Sequence, residues 1–140
     1  NQSYRLGKKL KELDKGLAAL KTGLGKEWQN TVIIIGTEFG RTAKENGTGG
    51  TDHGSASALF LAGGAIDGGK VKGNWPGLKT EQLFQQRDLM PTTNSFSWIA
   101  NVLSQHWHFS ESELRQVFPH VKAYNEVLLR KKAFKSGMDV

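Results

Sequence analysis

The sequence predicts an α/β protein in which a small sheet of few strands is flanked by helices. Three observations predict it: a leucine-periodic segment near the start, a run of four β-branched residues at 32–35, and a second apolar run after a glycine-rich stretch. Residues 36–77 hold 12 of the 17 glycines, so we expect mostly loops there. Two or three strands are few for an independent doubly wound fold, which predicts that residues 1–140 form one segment of a larger domain.

The first predicted helix spans residues 4–22 and carries a regular leucine face. Its leucines alternate in spacing between four and three residues, so they share one side of a helix, while Lys and Glu fill the other. They are Leu6, Leu10, Leu13, Leu17 and Leu20. Such a face indicates either a short coiled coil with a partner or a helix that lies on a sheet. We favour the sheet, because a coiled coil needs about three to four sustained heptads.

The β-branched run predicts a fully buried strand over residues 31–37. The second apolar run predicts another strand over residues 55–61, which two glycines stop. Val71 is expected in a short third strand or hairpin return after a turn at Asp67-Gly68-Gly69.

Two further helices are predicted in the last third of the chain. Residues 94–106 present one apolar face, and Thr93 or Asn94 is expected to cap the N-terminus of that helix. Ser110 begins a capping-box pattern that opens a short helix through Val117. Residues 121–140 are a basic tail, of which residues 121–134 are predicted to be helical or frayed.

Composition limits the classes of function. The chain has a formal net charge of +6 and a hydrophobic share of 37%, and its basic residues are concentrated at the two ends. No apolar run approaches the roughly 18 residues that a membrane helix needs, so no membrane span is predicted. The absence of cysteine excludes disulfides and thiolate metal sites. The lack of an aromatic-basic RNA motif or a helix-turn-helix signature argues against nucleic acid as a partner.

Candidate functional residues stand at the end of the first strand and after the glycine-rich loop. Glu38 and Arg41 follow the β-branched run, and Asp52 and His53 come next. Open α/β sheets build active sites from polar groups in such places. Carboxylates and imidazoles bind divalent metals, and a guanidinium binds phosphate or sulfate bidentately. The structural alternatives for Glu38 are a salt bridge to Arg41 or a helix cap, and the alternative for His53 is a structural role through hydrogen bonds.

Asp52 and His53 are neighbours and cannot both point the same way on an extended strand. Either one of them binds a ligand while the other orients it, or the backbone is irregular there. His106 and His108 flank a tryptophan at a helix end, and we interpret them as structural or exposed. No phosphate-binding loop and no Gly-x-Ser-x-Gly nucleophile elbow occurs in the sequence.

The order of these motifs carries a family resemblance. A hydrophobic strand ends in Glu-Phe-Gly-Arg-Thr at residues 38–42, and Asn46, two glycines and an Asp-His pair follow. Downstream come Leu-Ala-Gly-Gly at 61–64, Asp-Leu-Met-Pro-Thr-Thr at 88–93 and Val-Phe-Pro at 117–119. Over about residues 4–120 the chain resembles the bacterial domain-of-unknown-function family fifteen-oh-one. That family resembles the alkaline-phosphatase and sulfatase-like superfamily.

The resemblance implies that this chain is the C-terminal part of an alkaline-phosphatase-like three-layer sandwich. It implies a metal-dependent hydrolase of phosphate or sulfate esters, exported to the periplasm or secreted. Glu38 and His53 would be metal ligands, Asp52 a ligand or an orienting residue, and Arg41 the catalytic residue that contacts the anion. The cofactor would be a divalent metal, with zinc as one candidate. The Ser, Thr or modified Cys nucleophile would come from the upstream part of the polypeptide, without which this chain would be inactive.

Phe39 departs from the superfamily pattern, because it stands where a metal-binding histidine is implied. A competing alignment places Asp52 and His53 themselves on the superfamily's Asp-His pair. The rival interpretation is therefore a non-catalytic module of the same fold that binds a polyanion, a glycan or a partner protein. A third interpretation is a basic helical interaction protein that uses the leucine face.

Overall fold

The computed structural model describes residues 2–131, with side chains from residue 4 onward. The helices are α1 (Gln2–Leu24), α2 (Ser95–Trp107) and α3 (Glu111–Val117), and the strands are β1 (Ile33–Ile35), β2 (Gly40–Arg41), β3 (His53–Gly54) and β4 (Phe60–Ala62). Short 3-10 segments lie at Gly25–Asn30 and Thr80–Gln82. The predicted mixture of helices and a few strands is confirmed.

The four strands form two antiparallel pairs, which together make up the ribbon. The outer pair joins β1 to β4, with Ile33 opposite Ala62, and the inner pair joins β2 to β3, with Arg41 opposite His53. The two pairs are connected by residues 36–39 on one side and by residues 55–59 on the other. The second side is one residue longer, which is the mismatch that a β-bulge introduces. The inner pair and its loop carry most of the predicted site residues.

The predicted strands are corrected in length and burial. The first strand is shorter than residues 31–37, and it is not fully buried, because Ile34 is 36% exposed. A β-branched run is typical of strands covered on both faces, but among residues 2–131 β1 pairs only with β4. The second strand begins at Phe60 instead of residue 55.

The third predicted strand is absent from residues 2–131, and Val71 is completely exposed. The expected hairpin return does not form, because the N–H of Asp67 donates to the carbonyl of Leu128 at 2.9 Å. The segment after β4 therefore pairs with the end of the described chain rather than with its own continuation. Ile66 and Leu129 form a β-bridge at this contact.

Helix α1 extends beyond the predicted residues 4–22, and its leucine face does not lie on a sheet in the described structure. Leu17 is half-buried, whereas the remaining leucines of the face are exposed. The exposed ones are Leu6, Leu10, Leu13 and Leu20. Among the described elements, α1 packs chiefly against the 3-10 segment that follows it. The predicted packing of this helix on a sheet is therefore wrong for residues 2–131.

The later helices begin where the sequence predicted. Asn94 caps α2, because its side chain accepts a hydrogen bond from the N–H of Phe96 at 2.9 Å. Ser110 and Glu113 form the predicted capping box of α3. In both cases a short polar side chain satisfies backbone N–H groups that have no partner within the helix.

The core gathers around α2 and α3. Its buried apolar residues are Ile66, Leu83, Ala100, Val102, Leu114 and Leu128.

Within the predicted tail, residues 121–131 are not helical, and residues 132–140 lie outside the described part of the chain. The side chain of Gln105 accepts hydrogen bonds from the N–H groups of Leu128 and Leu129, at 3.0 and 3.3 Å. This contact holds Leu128 and Leu129 against α2, and of the two predicted alternatives, helical or frayed, the helical one is wrong for residues 121–131.

A separate observation concerns membranes. Across residues 2–131, none of the helices combines the length and the apolar character that crossing a bilayer requires.

Candidate functional site

The inner strand pair β2–β3 brings predicted site residues together. Arg41 lies directly opposite His53, and Gly40 lies opposite Gly54. Directly opposed residues project their side chains to the same face of an antiparallel pair, with Cβ atoms about 4.5–5.5 Å apart. The guanidinium of Arg41 and the imidazole of His53 therefore project from neighbouring points on one face of the ribbon.

Two glycines permit the close packing of this pair. A Cβ atom on Gly40 would collide with the backbone of Ala56, and one on Gly54 would collide with the backbone of Arg41. The backbone N–H of Arg41 donates to the carbonyl of Ala56 at 3.2 Å, so the close approach is a hydrogen-bonded contact. A side chain at either glycine would push the strands apart, which makes both glycines part of the construction of the site.

The ring of Phe39 packs on the imidazole of His53. The ring centroids are 4.4 Å apart and the planes differ by 15°, which is a stacked arrangement. Stacking covers one face of the imidazole and leaves the nitrogens, which lie at the ring edge, clear of the Phe39 ring. Phe39 therefore orients His53 without contributing a ligand atom.

Asp52 is held by the loop that joins β2 to β3. Its Oδ1 accepts a hydrogen bond from Nδ2 of Asn46 at 2.8 Å. The Oδ1 of Asn46 in turn accepts from the N–H groups of Thr48 and Gly50, each at 3.1 Å, so the loop folds around this amide. The carboxylate of Asp52 is therefore oriented by the loop amide of Asn46.

Glu38, Arg41, Asp52 and His53 are all exposed. Every ion pair among residues 4–131 joins other side chains, so the alternative salt bridge between Glu38 and Arg41 is not formed. Within the same residues, no group of three or more His, Cys, Asp or Glu side chains converges on one point. Glu38 lies at a bend before β2, whereas His53 lies in β3 and is paired with Arg41.

A buried acidic residue, to which the sequence assigned no role, contacts the end of β3. Asp88 is only 3% exposed, and its carboxylate accepts hydrogen bonds from Ser55 Oγ and Arg87 Nε, each at 2.8 Å. Ser55 directly follows β3. The hydrogen bond from Ser55, and after it the contact with Arg87, holds the pKa of Asp88 below its usual range, although burial acts in the opposite direction.

A groove of about 290 Å³ opens beside the site, and Arg41, Ala56, Trp75 and Leu89 are among its lining residues. A larger hollow of about 720 Å³ lies at the N-terminal end of α2. The larger hollow shares no lining residue with β2 or β3, so its size does not make it part of this site.

Sequence reasoning missed three contributions to the site. The Asn46-Gly47 dipeptide is a turn signal that could have indicated the loop around Asp52. The stacking of Phe39 on His53 has no signal in the spacing of residues, because it depends on strand pairing. The bond between Ser55 and Asp88 joins residues 33 positions apart, a separation that no local pattern encodes.

Fold and site together define a mixed α/β protein whose candidate site is built on an antiparallel ribbon. A family model described as a protein of unknown function (DUF1501) matches residues 1–118. This match covers most of the chain, so the chain belongs to that family, as the motif pattern predicted. No curated protein and no solved structure shows significant similarity to the chain.

Proposed function

We propose that the complete protein is a metal-dependent hydrolase of phosphate or sulfate esters, of the alkaline-phosphatase and sulfatase-like superfamily. In this proposal the ribbon and the three helices form the C-terminal part of a three-layer sandwich. The upstream part of the polypeptide supplies the nucleophile and the remaining metal ligands. The proposal rests on the motif pattern together with the site geometry.

The observation that carries the proposal is the placement of Arg41 directly opposite His53. Both side chains are exposed, and neither forms an ion pair among residues 4–131. A cation that binds anions bidentately and an imidazole that binds metals thus lie on one face. This combination suits an ester that carries a phosphoryl or sulfuryl group.

Each residue has a distinct role in the proposal. His53 and Glu38 bind divalent metal, with zinc as the first candidate, and Asp52 holds the loop beside them or binds metal itself. Arg41 contacts the anionic oxygens of the ester. When bound, the metal activates the nucleophile and neutralises the charge that develops during transfer. Glu38 and His53 would hold the metal together with the ligands that the upstream part of the polypeptide supplies.

The test measures the metal content of the complete protein and its hydrolysis of p-nitrophenyl phosphate and p-nitrophenyl sulfate. We expect a Glu38→Ala, His53→Ala double variant to lose bound metal and hydrolytic activity together. The matched control is Glu81→Ala, His120→Ala, which removes an exposed carboxylate and an exposed imidazole outside the strand pair. If the Glu38 and His53 variant keeps its metal and its activity, the assignment is wrong.

A second candidate is a non-catalytic module of the same fold that binds a polyanion, a glycan or a partner protein. Phe39 favours it, because its stack on His53 takes the place of a metal-binding histidine in the superfamily pattern. Metal-independent binding of a sulfated glycan such as heparin, abolished by Arg41→Ala in a protein without hydrolytic activity, would support this candidate over the hydrolase.

A further inference from the structure

A strained turn delivers Asp88 to the candidate site. Gln85 and Gln86 have φ angles of 51° and 57°, and the N–H of Arg87 donates to the carbonyl of Phe84 at 3.1 Å. Positive φ at both central residues is the mark of a type I′ turn, which glycine and asparagine usually occupy. Two consecutive glutamines in this conformation carry strain that the surrounding structure must offset. Strain of this kind clusters at functional sites, so the contacts of Asp88, which directly follows the turn, are of functional interest.

The turn docks on the continuation of β2. Asp88 forms a β-bridge with Thr42, which directly follows Arg41. The N–H of Ala43 donates to the carbonyl of Arg87 at 3.0 Å. Thr42 is itself buried, and its N–H donates to the carbonyl of Asp52 at 3.1 Å. The backbone after β2 is therefore clamped between the turn and the residue that precedes His53.

The side chain of Asp88 reaches the other strand. Its Oδ2 accepts a hydrogen bond from Ser55 Oγ, with 2.8 Å between the two oxygen atoms. Ser55 lies two residues beyond His53, so its position fixes the end of β3. One buried residue thus binds the continuation of β2 through its backbone and the continuation of β3 through its carboxylate.

We propose that Asp88 is a positioning residue that sets the separation and register of β2 and β3 and thereby holds Arg41 opposite His53. Its importance for chemistry rests on the proposed function, whereas the strand geometry that it controls can be measured without metal or substrate. The competing explanation is that Asp88 contributes only to global stability.

The test is NMR spectroscopy of the full chain without metal or substrate. In the wild type, the stacking of Phe39 on His53 predicts a ring-current shift of the His53 ring protons, and the strand register predicts a cross-strand NOE between Arg41 and His53. We expect Ser55→Ala and Asp88→Asn each to lose most of this ring-current shift and to weaken the NOE, while the amide shifts of α2 stay unchanged. Ser55→Thr, which keeps the hydroxyl, should restore both signals.

Matched controls separate positioning from stability. Ser57→Ala removes an exposed serine two residues farther along, and Asp67→Asn removes a carboxylate that is paired with Lys70 outside the site. Both controls should leave the His53 signals unchanged. If Ser55→Ala keeps the wild-type ring shifts and NOE, the proposal is wrong, and this result decides the matter even where Asp88→Asn fails to fold. Since no metal enters the measurement, the proposed function can fail while this inference stands.

Discussion

The ring of Phe39 stacks on His53 at a position where the superfamily pattern implies a metal-binding histidine. A stacked aromatic pair contributes about 0.5–1.5 kcal/mol beyond the burial of its area. In the proposed hydrolase, Phe39 would therefore replace an implied metal ligand by a contact that orients His53, the proposed ligand. The presence of Phe39 instead of a histidine favours the binding-module proposal over the hydrolase proposal. The single substitution Phe39→His restores the implied histidine.

Phe39→His should strengthen zinc binding, because it supplies an imidazole, a preferred zinc ligand, beside His53. We expect the dissociation constant to fall about tenfold or more, which corresponds to about 1.4 kcal/mol. Isothermal titration with zinc measures it. The matched control is Phe60→His, which introduces the same ring at another exposed position of the ribbon. Equal gains in the two variants would show that Phe39 does not stand at a ligand position.

The carboxyl group of Asp88 makes the free energy of unfolding depend on pH. Its pKa is lower in the folded chain than the usual aspartate value of about 3.9, so the unfolded chain binds its proton first as pH falls. The contribution of Asp88 to stability is therefore complete above the unfolded pKa and is lost as pH falls through the folded pKa. Asp88→Asn should lower urea-unfolding stability at pH 7 and flatten its decline at acid pH. An unchanged acid profile in the variant would contradict this assignment.

A leucine on the exposed face of α1 and a leucine in the core differ in how much they contribute to the free energy of unfolding. Leu10 is 52% exposed and Leu114 only 6%, although both lie on helices. We expect Leu10→Ala to change the free energy of unfolding by no more than about 0.5 kcal/mol, because it removes no buried contact. Leu114→Ala should cost about 2–5 kcal/mol, because it leaves a cavity. Urea unfolding at constant m value compares them, and an equal cost would mean that the leucine face is covered in solution.

The sequence predicted the helices far better than the strands. The caps at Asn94 and Ser110 are local, since a side chain within three residues satisfies the backbone, and both were found. The β-branched run correctly indicated a strand at 33–35, but its predicted burial was wrong, because burial depends on what packs against the strand. Of the candidate site, residue identities were available from the sequence, whereas the register that pairs Arg41 with His53 was not.

One polar side chain connects α2 to the end of the described chain. Gln105 Oε1 accepts from the N–H groups of Leu128 and Leu129, and its Nε2 donates to the carbonyl of Glu126 at 2.5 Å. These bonds keep Leu128 in the core and Leu129 paired with Ile66. Residues 126–129 therefore link α2 to Ile66, in the segment that follows β4.

Gln105→Met preserves side-chain size but leaves these backbone groups without partners, at a cost of about 1–3 kcal/mol for each group that stays buried. We expect amide hydrogen exchange at Leu128 and Leu129 to accelerate, while exchange in β2 and β3 is less affected. Gln116→Met, at an exposed position of α3, is the matched control. Protection at Leu128 equal to that of the wild type would show that Gln105 does not hold the segment.

The sequence by itself determined helices α2 and α3 with their caps, the family, and the identities of Glu38, Arg41, Asp52 and His53 as candidate site residues. Periodicity, capping and motif order are properties of neighbouring residues, so the chain carries them locally. Only the tertiary structure decided that Arg41 faces His53, that Phe39 stacks on the imidazole, and that buried Asp88 ties both strands. Those contacts join residues that are distant in the chain, and they depend on strand register and on the closing of loops, which leave no local pattern.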